Sequence, residues 1–223
     1  MKHLETEEPG NLNIIEIFSS IQGETSLTGL PTTFIRLAAC NLRCTWCDTA
    51  YSFGRGKKIS QEEIIQQTSS NGLPHVCITG GEPLLQKNVY PLMKTLCDLG
   101  YTLSLETGGS LPVDEVDPRV ITILDIKCPG SGMNEKNHLG NLKRLREHDE
   151  IKFVLLNEND YAFALDICKK FQLFSRTKPV LFSPVFGKLD PKKVVQWILQ
   201  DKIHARLNLQ IHKFIWHPET TGV

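Results

Sequence analysis

Cys40-Asn-Leu-Arg-Cys44-Thr-Trp-Cys47 puts three thiol side chains within eight residues, directly after an apolar strand-like stretch and with no helical pattern to carry them apart. A loop of that length can wrap three sulfurs round one metal centre. Structural zinc takes four protein ligands and no fourth cysteine or histidine stands close by, so one metal position is left open for chemistry. The residues leave two alternatives: a three-thiolate zinc site completed by a distant His75 or His212, or a cluster that only passes electrons. Cys77, Cys97, Cys128 and Cys168 are scattered through apolar surroundings and read as buried core thiols.

Further polar groups gather where strands end. Thr79-Gly80-Gly81-Glu82-Pro83 follows an apolar strand and precedes a helix, so its glycines allow close backbone approach and its carboxylate stands at a strand's carboxyl end, where α/β proteins place ligands. Glu106-Thr107-Gly108-Gly109, Asp125-Ile126-Lys127 and Ser183-Pro184-Val185 repeat that placement, which would set all of them on one rim. Read alone, each is equally a turn, an N-cap or an ion pair.

The elements that must position these groups are short and alternate in kind. Apolar, β-branched segments at 13–18, 33–37, 76–79, 101–105, 120–126, 151–155, 180–182 and 207–211 read as strands. Helices are expected over 60–67, opened by the capping box of Ser60 and Glu63, over 88–99 up to Gly100, over 160–171, and from Asp190-Pro191 onward. Residues 54–58 and 128–133 read as loops. Alternating strands and helices imply an α/β fold of parallel βα units. The chain's 223 residues are short for a full barrel of about 250, so a partial (incomplete) β/α barrel in a single domain, 1–223, is the expectation.

Twenty-five Lys and Arg balance twenty-five Asp and Glu, which gives no general reason to expect nucleic acid or an anionic membrane as partner. Residues 1–10 are polar and acidic without an apolar signal core, and no run approaches a membrane span. A cytoplasmic location is expected, where seven cysteines, an odd number, are free thiols by default.

The C-x3-C-x2-C spacing, with the aromatic Trp46 before the last cysteine, resembles the radical S-adenosylmethionine (SAM) superfamily. From about Ile14 to Lys213, the phrases SIQGE, FIRLAACNLRCTWCDT, TGGEP, LETGG, DIK, DEIKFV, FSPV and LQIHK more specifically resemble the 7-carboxy-7-deazaguanine synthases of the queuosine pathway. The resemblance implies a barrel of the radical SAM type and a 4Fe-4S cluster on Cys40, Cys44 and Cys47. It implies that the open iron chelates SAM, whose one-electron cleavage yields a radical that abstracts a substrate hydrogen. The reaction implied converts 6-carboxy-5,6,7,8-tetrahydropterin to 7-carboxy-7-deazaguanine with loss of ammonia, SAM being regenerated and Mg2+ assisting.

Carried onto this sequence, the SAM contacts are Trp46, Asp48, Gly81, Glu82, Asp125, Ile126, Lys127, Ser183, Pro184 and Val185, with Glu82 and nearby carbonyls toward the SAM ammonium. The substrate contacts are Ile21, Gln22, Gly23, Glu24, Arg36, Thr79, Glu106 and, because related chains bring a C-terminal proline to the substrate, Pro218. Arg36 suits a carboxylate with its planar fork, and Glu24 suits the donor edge of a pterin. Thr49 suits Mg2+, a hard cation, with Asp48 supporting it. Plain alternatives stand beside these: Arg36 pairing an acid on a neighbouring strand, Gln22 and Glu24 solvated, Thr49 capping local backbone. His212 and Lys213 are left to structure or a substrate rim. Also implied are a homodimer and an electron donor such as flavodoxin or ferredoxin. The competing readings are a glycyl-radical activating enzyme, which would act on a protein, and a metal-binding or electron-transfer module, which would not cleave SAM.

Overall fold

A computed structural model describes residues 10–223, so the N-terminal stretch read above lies, apart from Gly10, outside the described residues. The strands are β1 (Asn11–Ile21), β2 (Pro31–Leu37), β3 (Lys57–Ser60), β4 (His75–Gly80), β5 (Thr102–Thr107), β6 (Ile121–Ile126), β7 (Glu150–Leu155), β8 (Val180–Pro184) and β9 (Ala205–Leu207). They form one sheet in the order β3-β1-β2-β4-β5-β6-β7-β8-β9. β1 is antiparallel to β2 and β3, and every pair from β2/β4 to β8/β9 is parallel. The sheet does not close, so the α/β barrel is incomplete, as expected.

Strand periodicity sorts the side chains onto two faces. Ile35, Leu37, Val76, Ile78, Leu103, Leu105, Leu124, Ile126, Ile151, Phe153, Leu155, Val180 and Phe182 belong to the apolar core. Their chain neighbours Phe34, Arg36, Thr79, Glu106, Ile123, Asp125, Lys152, Val154 and Ser183 line the lumen instead. The helices α1 (Gln61–Asn71), α2 (Val89–Asp98), α3 (Glu158–Lys170) and α4 (Pro191–Asp201) cover the first face, contributing Ile64, Leu92, Met93, Leu96, Ala164, Ile167 and Val194 to the core. Cys77, Cys128 and Cys168 are buried, and Cys97 is half-buried against the same core.

Local chemistry starts these helices where it should. The Ser60 hydroxyl accepts from Glu63 N at 3.2 Å, Asn157 caps α3 through Asp160 N, and Asp190 caps α4 through Lys192 N with Pro191 at the first position. Each such cap is worth about 1 kcal/mol. α2 has no side-chain cap, and Gly100 beyond it takes a φ of 89°.

Two expectations fail. Residues 54–58 are not all loop: 57–60 form β3, an edge strand made by pairing with β1 rather than by its own pattern, and its lysines suit an exposed edge. The last strand is not 207–211 but Ala205–Leu207, because the following Asn208 and Gln210 leave the sheet to bind the loop after β1. The chain then ends in the single turn α5 (His212–Ile215) and a tail. Among the described residues no helix is long and apolar enough to cross a membrane.

Candidate functional site

A cavity of about 570 Å³ opens at the carboxyl ends of the parallel strands, and Cys40, Cys44 and Cys47 share its wall. The loop that carries them leaves β2 through Ala39, whose φ of 71° is unfavourable for a residue with a Cβ. Two hydrogen bonds hold that bend: Ala39 N donates to Ser52 O at 2.8 Å, and Glu82 N donates to Ala39 O at 2.8 Å. Gly81 packs so closely there that a Cβ would stand 2.0 Å from Ala39 O. On its far side the loop is tied to the segment after β6, with Thr45 N donating to Ser131 O and the Thr45 hydroxyl to Gly130 O. Asp160 at the start of α3 fixes that segment in turn by accepting from Gly130 N at 2.7 Å.

The thiols suit a polynuclear cluster. All three are free and half-buried, and burial raises the pKa of Cys40 and Cys44, with Lys127 opposing it in both. Among the described residues no three His, Cys, Asp or Glu stand together as a single-ion site.

Opposite the cysteines, Arg36 reaches into the cavity from β2. Its Nε donates to Glu16 Oε1 at 2.7 Å on the facing strand, which is the neighbouring-acid pairing weighed above. That pairing uses one edge only. The guanidinium carbon lies 5.7 Å from the ring centres of both Phe18 and Tyr51, and the terminal nitrogens make no hydrogen bond among the described residues. Arg36 therefore keeps its fork. Beside it, Glu106 accepts from the Thr79 hydroxyl at 2.9 Å and from Gln22 Nε2 at 3.4 Å.

Gln22 and Glu24 are not solvated. Gln22 is buried, and Glu24 accepts from Lys152 Nζ at 3.0 Å, Gln210 Nε2 at 2.9 Å and Asn208 Nδ2 at 3.3 Å. Burial works against the Glu24 charge, yet Lys152 and Gln210 outweigh it and the carboxyl is held below its ordinary value. Burial likewise opposes the Lys152 charge, and Glu24 and Asp125 reverse it, so both members stay ionised. Ile21 and Gly23 share the same wall, and His212 lies so near Gly23 that a Cβ there would stand 1.9 Å from its Nδ1.

Asp125 lines the cavity and binds Lys127 at 3.0 Å through Oδ2, while its Oδ1 is buried with no hydrogen-bond partner among the described residues. Trp46, Ser183, Pro184 and Val185 complete that side. Asp48 accepts from Lys213 Nζ at 2.6 Å and from Gln210 Nε2 at 3.2 Å. Desolvation at the cavity raises its pKa, but Lys213 and Gln210 bring it down to about 2. Thr49 does not cap the short 3-10 turn that follows it, and among the described residues its hydroxyl meets only Asp48 Oδ1 at 3.3 Å and Cys47 Sγ at 3.9 Å. Pro218 and the tail to Val223 line the mouth.

Two assigned residues stand outside the cavity. Ile126 is fully buried in the core, because strand alternation turns it toward the helices while Asp125 and Lys127 face inward. Glu82 is also fully buried, and its carboxylate accepts from the Thr107 hydroxyl at 2.9 Å, Gly108 N at 2.8 Å and Leu84 N at 3.1 Å. It clamps the rim from behind and has no oxygen in the lumen. Four residues given no role by the sequence reading are in the network: Lys152, Asn208, Gln210 and Tyr51. A lysine in the middle of the apolar run Ile151-Lys152-Phe153-Val154-Leu155 is the signal that could have found the first.

The radical SAM superfamily model matches residues 34–124, which hold the cysteine loop and the Gly81 turn. A protein of Koribacter versatilis (strain Ellin345) named 7-carboxy-7-deazaguanine synthase is 44% identical, with 95% of this chain and 100% of the relative aligned. One of the same name from Chlorobaculum tepidum is also 44% identical, over 99% of this chain and 100% of the relative. The crystal structure of QueE from Escherichia coli superposes with a TM-score of 0.71 at 25% identity, covering 90% of this chain and 94% of that one. Likeness at that level over almost the full length, cavity included, means that the chain belongs to the 7-carboxy-7-deazaguanine synthase family of radical SAM enzymes.

Proposed function

We propose that the cavity converts 6-carboxy-5,6,7,8-tetrahydropterin to 7-carboxy-7-deazaguanine with loss of ammonia, a step of queuosine and 7-deazapurine biosynthesis. The observation that carries this reading is the convergence, in one cavity, of three free thiols, an arginine with its fork unpaired and a facing set of carboxylates and amides. When bound, the 4Fe-4S cluster on Cys40, Cys44 and Cys47 and SAM supply the one-electron chemistry that removes a substrate hydrogen. The remaining work of this chain is binding and orientation.

Arg36 grips the pterin carboxylate with its two terminal nitrogens, a match that a point charge lacks. Glu24, kept ionised by Lys152, accepts from the pterin N–H edge, and Gln22, Thr79 and Glu106 fix the ring beside it. Ile21 and Gly23 contribute backbone and contact. Asp125 takes a donor of SAM, and Gly81, Trp46, Lys127, Ser183, Pro184 and Val185 shape the rest of that subsite. The Thr49 hydroxyl, free of capping duty, serves Mg2+ together with substrate oxygens and water, with Asp48 beside it. Pro218 covers the substrate from the tail.

The chain works as a single radical SAM domain, 1–223, and as a homodimer in the cytoplasm, with flavodoxin or ferredoxin as electron donor and with neither nucleic acid nor membrane as partner. Anaerobically reconstituted protein given the carboxypterin, SAM, Mg2+ and a reductant is expected to form 7-carboxy-7-deazaguanine. A preparation with a full cluster that cleaves SAM but releases no deazaguanine would overturn the substrate assignment.

A further inference from the structure

The loop between β1 and β2 is rooted near one end of the sheet and fastened near the other. Its neck is closed by Gln22 N to Leu30 O at 2.8 Å and Gly29 N to Gln22 O at 2.7 Å. Beyond the neck its residues reach segments that follow β6 in the sheet order. Gly23 O accepts from Ile211 N at 2.9 Å, Glu24 meets Lys152 on β7, and Thr25 N donates to Asn208 Oδ1 at 2.8 Å. Ser26 is held by Glu150 at the start of β7: its N–H donates to Oε2 at 3.1 Å, and its hydroxyl donates to Oε1. Lys178 Nζ completes the contact at 2.9 Å from Glu150.

Two properties separate this contact from ordinary loop packing. Glu150 is a carboxylate only 2% exposed, a costly group to bury unless its partners hold it. Thr25, between the Glu24 and Ser26 anchors, is fully buried with a φ of 71°. A β-branched residue stays in that region only where its surroundings over-determine it. The loop is thus held in a conformation that it would not keep alone, and the last anchor lies outside the cavity, since none of Ser26, Glu150 and Lys178 lines it.

We infer that Glu150, with Ser26 and Lys178, is a positioning clasp that sets Gln22 and Glu24 in register with the substrate by pinning the loop across the open barrel. The inference rests on the reading that Gln22 and Glu24 face the pterin. Glu150 acts through the loop and touches no reactant, so its loss should loosen substrate placement and spare the cluster and SAM.

The test uses the reconstituted holoenzyme with Glu150→Gln, Ser26→Ala and the two combined. Each single change is expected to raise KM for the carboxypterin about tenfold, with kcat, iron content and SAM affinity unchanged. The combination should be no worse than the more severe single change, since both cut the same link. A lowered melting temperature with KM unmoved would make Glu150 a merely structural group and overturn the clasp. KM effects that multiply in the combination, or SAM affinity falling with KM, would also overturn it. Glu24→Gln separates the two levels of the claim. If it leaves KM at the wild-type value, the loop does not serve the substrate and the clasp falls with that reading; if it raises KM while the Glu150 and Ser26 changes do not, the clasp alone is wrong.

Discussion

Arg36 is committed on one edge and open on the other. Glu16, Phe18 and Tyr51 fix the plane of the guanidinium and leave its terminal nitrogens to a ligand. Lysine keeps the charge and loses both the plane and the fork, so Arg36→Lys should raise KM for the carboxypterin by about 10- to 100-fold, with SAM binding by equilibrium titration unchanged. Thr49→Ala should abolish stimulation by Mg2+ in activity assays and retain the iron; persistence of the stimulation would move the metal elsewhere. Glu24 offers a pH signature. Its folded pKa lies below the ordinary 4.5, so its contribution to stability is complete above the unfolded value and is lost as pH falls through the folded one. In denaturation at a series of pH values, the stability gap between wild type and Glu24→Gln should be constant above about pH 4.5 and shrink below it. Residue identity foretold much of this. The cysteines were legible from type and spacing, and Arg36, Glu24 and Thr49 were marked by the family resemblance, but Lys152 was not assigned, because its partner Glu24 is 128 positions away.

At the scale of elements, the cysteine loop and the turn after β4 form one unit. Gly81→Ala places a methyl group where Ala39 O already stands, 2.0 Å away, so the backbone of one partner must move. Iron and sulfide per chain should fall well below four of each, with the circular dichroism of the helices intact. A fully loaded cluster in that variant would show that the close approach is dispensable. Strand existence was legible because the central strands are short, apolar and rich in β-branched residues, whereas β3 has no such pattern and exists through its partner β1. The parity of β6 was also there to be read: Asp125 and Lys127 cannot share a face with Ile126. The place of Glu82 behind the rim was illegible for a subtler reason. Its sequence context, a turn at a strand end, is the same whether the carboxylate points into the lumen or behind it, and only its three donors decide.

For the molecule as a whole, the open barrel leaves its lumen to be finished by segments outside the sheet: the loop after β1 on one side and the tail from Pro218 to Val223 at the mouth. A chain shortened after His217 should keep its fold and cluster and admit more water, so SAM spent per deazaguanine formed should rise several-fold in single-batch turnover assays; an unchanged ratio would show that the tail excludes nothing. The sequence indicated an incomplete barrel because 223 residues are short for a closed one of about 250. It gave no sign of what fills the gap, since long-range contacts such as Thr25 with Asn208 leave no local pattern.

Asp125, Lys152, Glu24, Gln210, Asp48 and Lys213 form a line of groups, each within 3.8 Å of the next, from the proposed SAM side of the cavity to the proposed magnesium side. Gln210 gives its amide nitrogen to Glu24 and Asp48, and Lys152 stands between Glu24 and Asp125. A ligand that claims one member leaves the next with one donor fewer or one charge unbalanced. On the proposed assignment, occupancy at one end should be felt as affinity at the other, by the same factor in both directions.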